Sequence, residues 1–321
     1  MKGQTTALRS SLPIWAGRNL PQKDGTAHPL FGGVPIARKK LAWKSAIGSE
    51  VGAKEKMNTG TILEDYARGE RDFHRVILIG VKLPGVDLNS IDLSAANLMN
   101  ATLTEANLSW AELIGTNLIN ADLSSADLKG ADLSNAYLNG AKLVGTSLEK
   151  AKLTDANLGG VNLIYGKLAG ADLRRANLTQ TKLIGANLSR ANLQNAQLTN
   201  ANLIGADLRG TMLLGADLRG ANLSGTLIDE KTKFDQKWRR VWEVCNKGGQ
   251  KRDLSGADFT GANLIGVNFK GANLSGVDLR EANLSGAYLT NTQVDRAQLT
   301  GAIGLSEAAK FDLQKRGAIV D

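Results

Sequence analysis

From Leu83 to Leu223 every fifth residue is leucine, twenty-nine in succession, and the residue two places earlier is nearly always alanine. The exceptions at that second position are Val81, Val86, Ile91, Thr116, Thr146, Val161, Gly166, Thr181 and Thr211, all small or β-branched. Between these apolar positions stand Asp, Asn, Lys, Ser and Gly, as in residues 121–140, ADLSSADLKGADLSNAYLNG. A period of five is neither the two of a strand nor the 3.6 of a helix. On an α-helix a step of five turns about 140°, which would spread the leucines over every face.

A short extended segment fits instead. Alanine points inward, Asp or Asn outward, leucine inward, the next residue outward, and the fifth absorbs a bend. Gly130, Asn135, Gly140, Gly145, Gly185, Asn195 and Gly205 supply corner chemistry at that fifth place. Four bends close a square of twenty residues. Ordering one pentad costs roughly 5–10 kcal/mol of backbone entropy, against about 1.5–3 kcal/mol from burying its leucine. A lone coil therefore does not fold, and coils must stack as in a solenoid. The expected class is an all-β solenoid.

The repeated A(D/N)LXX motif over Leu78–Leu299 resembles the pentapeptide-repeat family. That resemblance implies a right-handed quadrilateral β-helix. Forty pentads give about ten coils, a rod of roughly 48 Å at strand spacing. The expected organisation is a basic disordered tail over 1–57, a helical cap and first coil over 58–80, repeats over 81–228 and a helical insertion over 229–252. Repeats resume over 253–303, and a capping helix closes the chain over 304–321.

At the first end, Thr61 and Glu64 are spaced as a capping box, Gly69 stops the helix, and Phe73 enters the leucine register. At the other, Ser306 is placed as N-cap and Gly317 as terminator. The register breaks once, because Leu223 to Leu254 is thirty-one residues rather than thirty. Within the break, Phe234, Trp238, Val241, Trp242 and Cys245 share one face of a helix closed by Gly248 and Gly249. Aligning residues twenty apart puts Val144, Ile164, Ile184 and Ile204 in one outward column that Ile265 continues, an aliphatic stripe that calls for a cover. The inserted helix is the expected cover, with Met212, Leu214 and Leu227 as a rival dock. Trp238, Arg239, Arg240 and Trp242 are the alternative, a partner-docking element, because Trp and Arg are enriched at binding hot spots.

Charge narrows the functional classes. Residues 1–60 hold ten Lys or Arg against three acids, +7 of the chain's +8. Residues 61–228 and 253–321 hold twenty-one basic and twenty-four acidic residues, a net of −3. Basicity thus belongs to the tail, where Trp15 and Trp43 would give a nucleic-acid arm only salt-sensitive, non-specific affinity. The single cysteine points to a reducing, cytoplasmic setting. The acid-poor tail is also compatible with an organellar transit peptide, and Met57 is an alternative start. No apolar run is long enough for a membrane span.

His28 and His74 have no neighbours at catalytic spacing, and no phosphate loop, nucleophile triad or metal motif occurs. No enzyme activity, cofactor or metal is expected. The outward column Asp92, Glu112, Asp132 and Lys152 reads as a solvated face, with cation binding the lesser alternative, and Asn97, Asn117, Tyr137, Asn157 and Asn177 as an interrupted amide ladder. The resemblance implies a binding scaffold for an unidentified protein partner, with regulatory roles known among cyanobacterial members and homodimers another option. It also offers a second reading, mimicry of duplex DNA toward gyrase or another topoisomerase, for which the net charge is weak.

Overall fold

The alternation of inward and outward positions is realised pentad by pentad. In the computed structural model, which describes residues 56–321, the second residue of each pentad pairs in parallel with the residue twenty places on. One column runs Asp72, Asp92, Glu112, Asp132, Lys152 and Asp172. Typical of the ladder, Leu123 N–H donates to Lys142 O at 2.8 Å and Lys142 N–H to Ala121 O at 2.9 Å. Between pentads, Ala126 N–H returns to Leu123 O at 3.0 Å, closing a β-turn over Ser124 and Ser125. The fifth residue carries the positive φ that the third place of a type II turn demands, +59° at Ser125 and +55° at Tyr165.

That corner geometry is imposed rather than chosen. Trp110, Lys150 and Arg175 adopt it at φ of 60°, 58° and 57°, although a left-handed side-chain residue costs roughly 1–2 kcal/mol. The ladder bonds and the leucine stack on either side hold them there. Leu123, Leu143 and Leu163 are fully buried, and the inward positions form one continuous core along the rod. The result is a quadrilateral solenoid, four turns to each twenty-residue coil.

Among the described residues three helices interrupt or end it: α1 (Thr59–Ala67), α2 (Gln236–Lys247) and α3 (Glu307–Lys315). Helix α1 starts earlier than the Thr61–Glu64 spacing suggests. Its N-cap is Asn58, whose side chain accepts from Thr61 N–H at 3.0 Å, so Thr61 lies inside the helix and the expected capping box does not form. Ile62 plugs the open core, and Tyr66 Oη donates to Asn89 O at 2.9 Å. Helix α3 is capped as expected, Ser306 Oγ accepting from Ala309 N–H at 3.2 Å, with Leu313 on the core.

Helix α2 differs from its expected place. It is stacked within the rod, not laid along its side. Below it, Trp242 Nε1–H donates to Thr226 Oγ1 at 2.9 Å, and Asn246 takes Gly225 N–H and donates to Leu223 O. Above it, Cys245 Sγ–H points to Asn263 O and Lys237 pairs with Asp258 at 3.1 Å. At one corner the two repeat segments meet directly, Gly220 N–H donating to Gly261 O at 2.7 Å. Those glycines are two coils and one residue apart in sequence, so α2 stands in for part of one coil and the columns resume unchanged beyond it.

The basic tail, the transit-peptide reading, the nucleic-acid arm with Trp15 and Trp43, and His28 all lie outside the described residues.

Candidate binding faces

Of the four helix residues singled out from sequence, two are core. Trp238 and Trp242 are 6% and 9% exposed, packed with Val241 and Val244 among the leucines. Their period was read correctly, but the apolar face closes a gap in the stack, so neither indole is presented to a partner. Arg239 is half-buried with its guanidinium 5.9 Å from the Trp242 ring centre, and Arg240 alone is exposed. Cys245 lies beneath Asn263, and burial pushes its thiol up to about 12.

The aliphatic stripe is a different matter. Val144, Ile164, Ile184 and Ile204 occupy the first outward place after leucine in four successive coils, at one corner of the square. Because α2 is stacked in line, it does not cover them. Val144, Ile164 and Ile184 are half-buried, Ile204 is 39% exposed and Ile265, which continues the column, 51%. The rival dock is more open, with Met212, Leu214 and Leu227 all exposed. Tyr165, on the next corner place, is 66% exposed and lies flat against the following coil, where a Cβ on Gly185 would come within 2.7 Å of its ring. Glycines 145, 185 and 205 at that place keep the ridge low. Sequence reading found the stripe and missed Tyr165, which the same twenty-residue alignment places beside it.

The outward columns flanking this ridge read Lys142, Asn162, Lys182, Asn202 on one side and Ser147, Lys167, Asn187, Asp207 on the other. Lys142 pairs with Asp122 at 3.6 Å, whereas Lys167 and Lys182 have no ion-pair partner among the described residues. The sole acid in those stretches, Asp207, is engaged by Arg209 at 2.7 Å. The ridge is apolar with a cationic border.

Elsewhere, a set of outward acids is neutralised in place. Asp132 pairs with Lys152 at 3.1 Å, Asp155 with Arg175 and Asp172 with Arg174 at 2.6 Å, and Asp217 with Arg219 at 2.6 Å. The expected amide ladder forms in part, Asn177 Nδ2 donating to Asn157 Oδ1 at 3.1 Å. An open cavity lies between the last coil and α3, lined by Leu284, Leu289, Leu305 and Leu313 among others. His74, which sequence spacing left without a neighbour, lies beside Asp72 and Asp92. No helix among the described residues is long and apolar enough to cross a membrane.

The profile of the pentapeptide repeats matches in eight copies spanning residues 83–227 and 252–303. Among solved structures, HetL, a protein involved in heterocyst differentiation regulation from the cyanobacterium Nostoc sp. strain PCC 7120, is 36% identical, over 77% of this chain and 97% of its own, with a TM-score of 0.31. Rfr23 from the cyanobacterium Cyanothece 51142 is 27% identical over 55% of this chain and 99% of its own, with a TM-score of 0.19. Full-length QnrB1, a plasmid-mediated fluoroquinolone resistance protein, is 17% identical over 76% of this chain and 91% of its own, with a TM-score of 0.24. No curated protein matches the chain.

Proposed function

The chain belongs to the pentapeptide repeat family, and from that premise we propose that it is a non-enzymatic scaffold that docks a protein partner on the Val144–Ile164–Ile184–Ile204 ridge. Membership carries the right-handed form of the quadrilateral helix. One observation carries the functional reading: an aliphatic column with an exposed Tyr165 stays uncovered by any described part of the chain, although α2 had the apolar face to cover it. Half-buried Val144, Ile164 and Ile184, with Ile204 39% and Tyr165 66% exposed, form a contiguous apolar strip in successive coils, and apolar strips left at the surface mark contact surfaces. Lys142, Lys167 and Lys182 border it, so the fitting partner presents apolar side chains flanked by carboxylates. A second copy of this chain would set these lysines against one another.

Rigidity suits the role. Each ridge side chain rides on a corner fixed by ladder bonds on both sides, so little order is lost on docking. Duplex mimicry toward a topoisomerase ranks second, because it needs a free acidic surface, and here Asp122, Asp132, Asp155, Asp172, Asp207, Asp217 and Asp278 each carry a Lys or Arg partner.

The test is affinity capture with the full chain against an Ile164→Glu/Ile184→Glu variant and a Lys167→Glu/Lys182→Glu variant, each checked for native circular dichroism. The ridge reading expects a partner held by the parent chain and by Arg240→Glu, lost from the first variant and weakened in the second. Capture undiminished by the ridge substitutions overturns it. Inhibition of gyrase supercoiling at low stoichiometry would install mimicry in its place.

A further inference from the structure

The parallel ladder holds outward side chains of adjacent coils at about strand spacing, roughly 4.8 Å. At the N-terminal end that rule brings three metal-binding side chains together. Asp72 and Asp92 are bridged partners one coil apart. His74 lies two residues beyond Asp72, on the same outward side, and its Nδ1 is in hydrogen-bond contact with Asp72 Oδ1. One donor atom from each of the three lies within 4.8 Å of the other two. We propose that Asp72, His74 and Asp92 form a binding site for a divalent transition-metal ion of the zinc type.

The donor set selects the class. An imidazole nitrogen with two carboxylates suits Zn²⁺, Ni²⁺ or Co²⁺ better than the hard, all-oxygen preference of Ca²⁺ or Mg²⁺. Asp92 Oδ1 is already oriented by Ser94 N–H at 2.9 Å, which leaves its other oxygen for the ion. His74 and Asp72 have side chains 49% and 55% exposed, so small rotamer changes bring the donors to about 2.0–2.2 Å from a shared ion, with water in the remaining positions.

Electrostatics favours the cation. The column reads Asp72, Asp92, Glu112, Asp132 before its first base, Lys152. Lys152 serves Asp132, while Asp92 and Glu112 have no ion pair among the described residues. Carboxylates stacked at strand spacing repel one another, and a dication between the first two relieves that repulsion while tying the first coil to the second. Arg71, the nearest preceding base, is turned away onto the Tyr66 ring, 3.7 Å from its centre.

Composition makes the assignment clean, because the chain has two histidines and one cysteine, and Cys245 lies far along the rod beneath Asn263. The experiment is titration calorimetry of the full metal-free chain with ZnCl₂ alone, alongside His74→Ala, Asp92→Asn and His28→Ala, with thermal melting at saturating zinc as a second readout. The site predicts one ion per chain. Removing a ligand should weaken it at least as much as the about 10–100-fold lost when a partner of a metal ligand is removed. His28→Ala leaves binding unchanged, and zinc raises the melting temperature of the parent but not of His74→Ala. Absence of binding at millimolar zinc, or binding that survives His74→Ala, overturns the proposal.

Discussion

Thr146 Oγ1 donates to the carbonyl oxygen of Leu123 at 2.8 Å, across two neighbouring coils and twenty-three residues of sequence. Thr116, Thr181 and Thr211 do the same to Leu93, Leu158 and Leu188. Each threonine replaces an inward alanine and is fully buried. The hydroxyl can be buried there because the turn carbonyl of the coil below has a second lone pair to offer, the first being taken by Ala126 N–H in the case of Leu123.

Thr146→Val keeps the shape and deletes this bond. Leu123 O retains Ala126 N–H, so no buried group is orphaned, and the cost is that of one hydrogen bond, about 0.5–1.5 kcal/mol. A urea titration should show a lower midpoint with an unchanged slope.

Trp242 joins the repeat segments on either side of the break, resting on Thr226 below while its helix neighbour Cys245 reaches Asn263 above. Trp242→Ala removes a buried indole, a loss of about 3–5 kcal/mol, at the one level where the ladder is incomplete. Since a solenoid is stabilised between nearest neighbours, the expected result is two unfolding steps, with residues 253–303 exchanging amide hydrogens before residues 83–223. A single cooperative transition at lower urea would show that Gly220–Gly261 and its neighbours suffice to couple the segments.

Gly130 and Gly160 occupy equivalent corners at φ of +67° and +70°, yet a Cβ at Gly130 would come within 2.5 Å of the Trp110 ring while one at Gly160 meets nothing within 4 Å. Gly160→Ala therefore costs only the left-handed strain, roughly 1–2 kcal/mol. Gly130→Ala costs more, or displaces Trp110. Denaturation midpoints rank the two, and a changed Trp110 emission, isolated by Trp110→Phe, reports the displacement.

The leucine register was legible because each leucine meets one requirement, an inward place in a stack of identical squares. The place of α2 was not, since Trp238, Val241 and Trp242 satisfy the same helical period whether they cover an outer face or fill a missing piece of core. The deciding signal was arithmetic: thirty-one residues between Leu223 and Leu254 are six sides and one residue, so the break fits segments that take the place of sides of the square with a single residue to spare. The metal cluster was hidden for a related reason. Spacing along the chain separates His74 from Asp92, and only the twenty-residue register brings Asp92 opposite Asp72. The cap at Asn58 was missed because Thr61 and Glu64 satisfy the capping-box pattern one turn too late.

Cys245 should behave as an inert side chain. Its thiol is pushed up to about 12 by burial, so the thiolate that reacts with alkylating agents is scarce at neutral pH. Ellman's reagent at pH 8 should label the native chain slowly and the urea-unfolded chain stoichiometrically. Rapid labelling without denaturant would mean that α2 opens readily from the stack.

Four pentads read Asp-Leu-Arg: Asp172 with Arg174, Asp207 with Arg209, Asp217 with Arg219 and Asp278 with Arg280. Second and fourth places both face outward, so each arginine folds back onto its own aspartate. The guanidinium bond, aided by the arginine's backbone N–H and opposed by partial burial, holds each carboxyl below the usual carboxylate range. A depressed carboxyl stabilises the fold fully above its unfolded value near ~4, and that contribution fades as pH falls through the lower folded values. Stability should thus be level from neutral pH down to about 5 and decline only in stronger acid. Replacing the four aspartates with asparagine should flatten that decline, measured as urea midpoints against pH, while leaving the native circular dichroism at pH 7 intact. A decline of unchanged steepness would place the acid sensitivity on other carboxylates, such as Asp87, Asp155 and Asp253, which their hydrogen-bond partners also hold below the usual range.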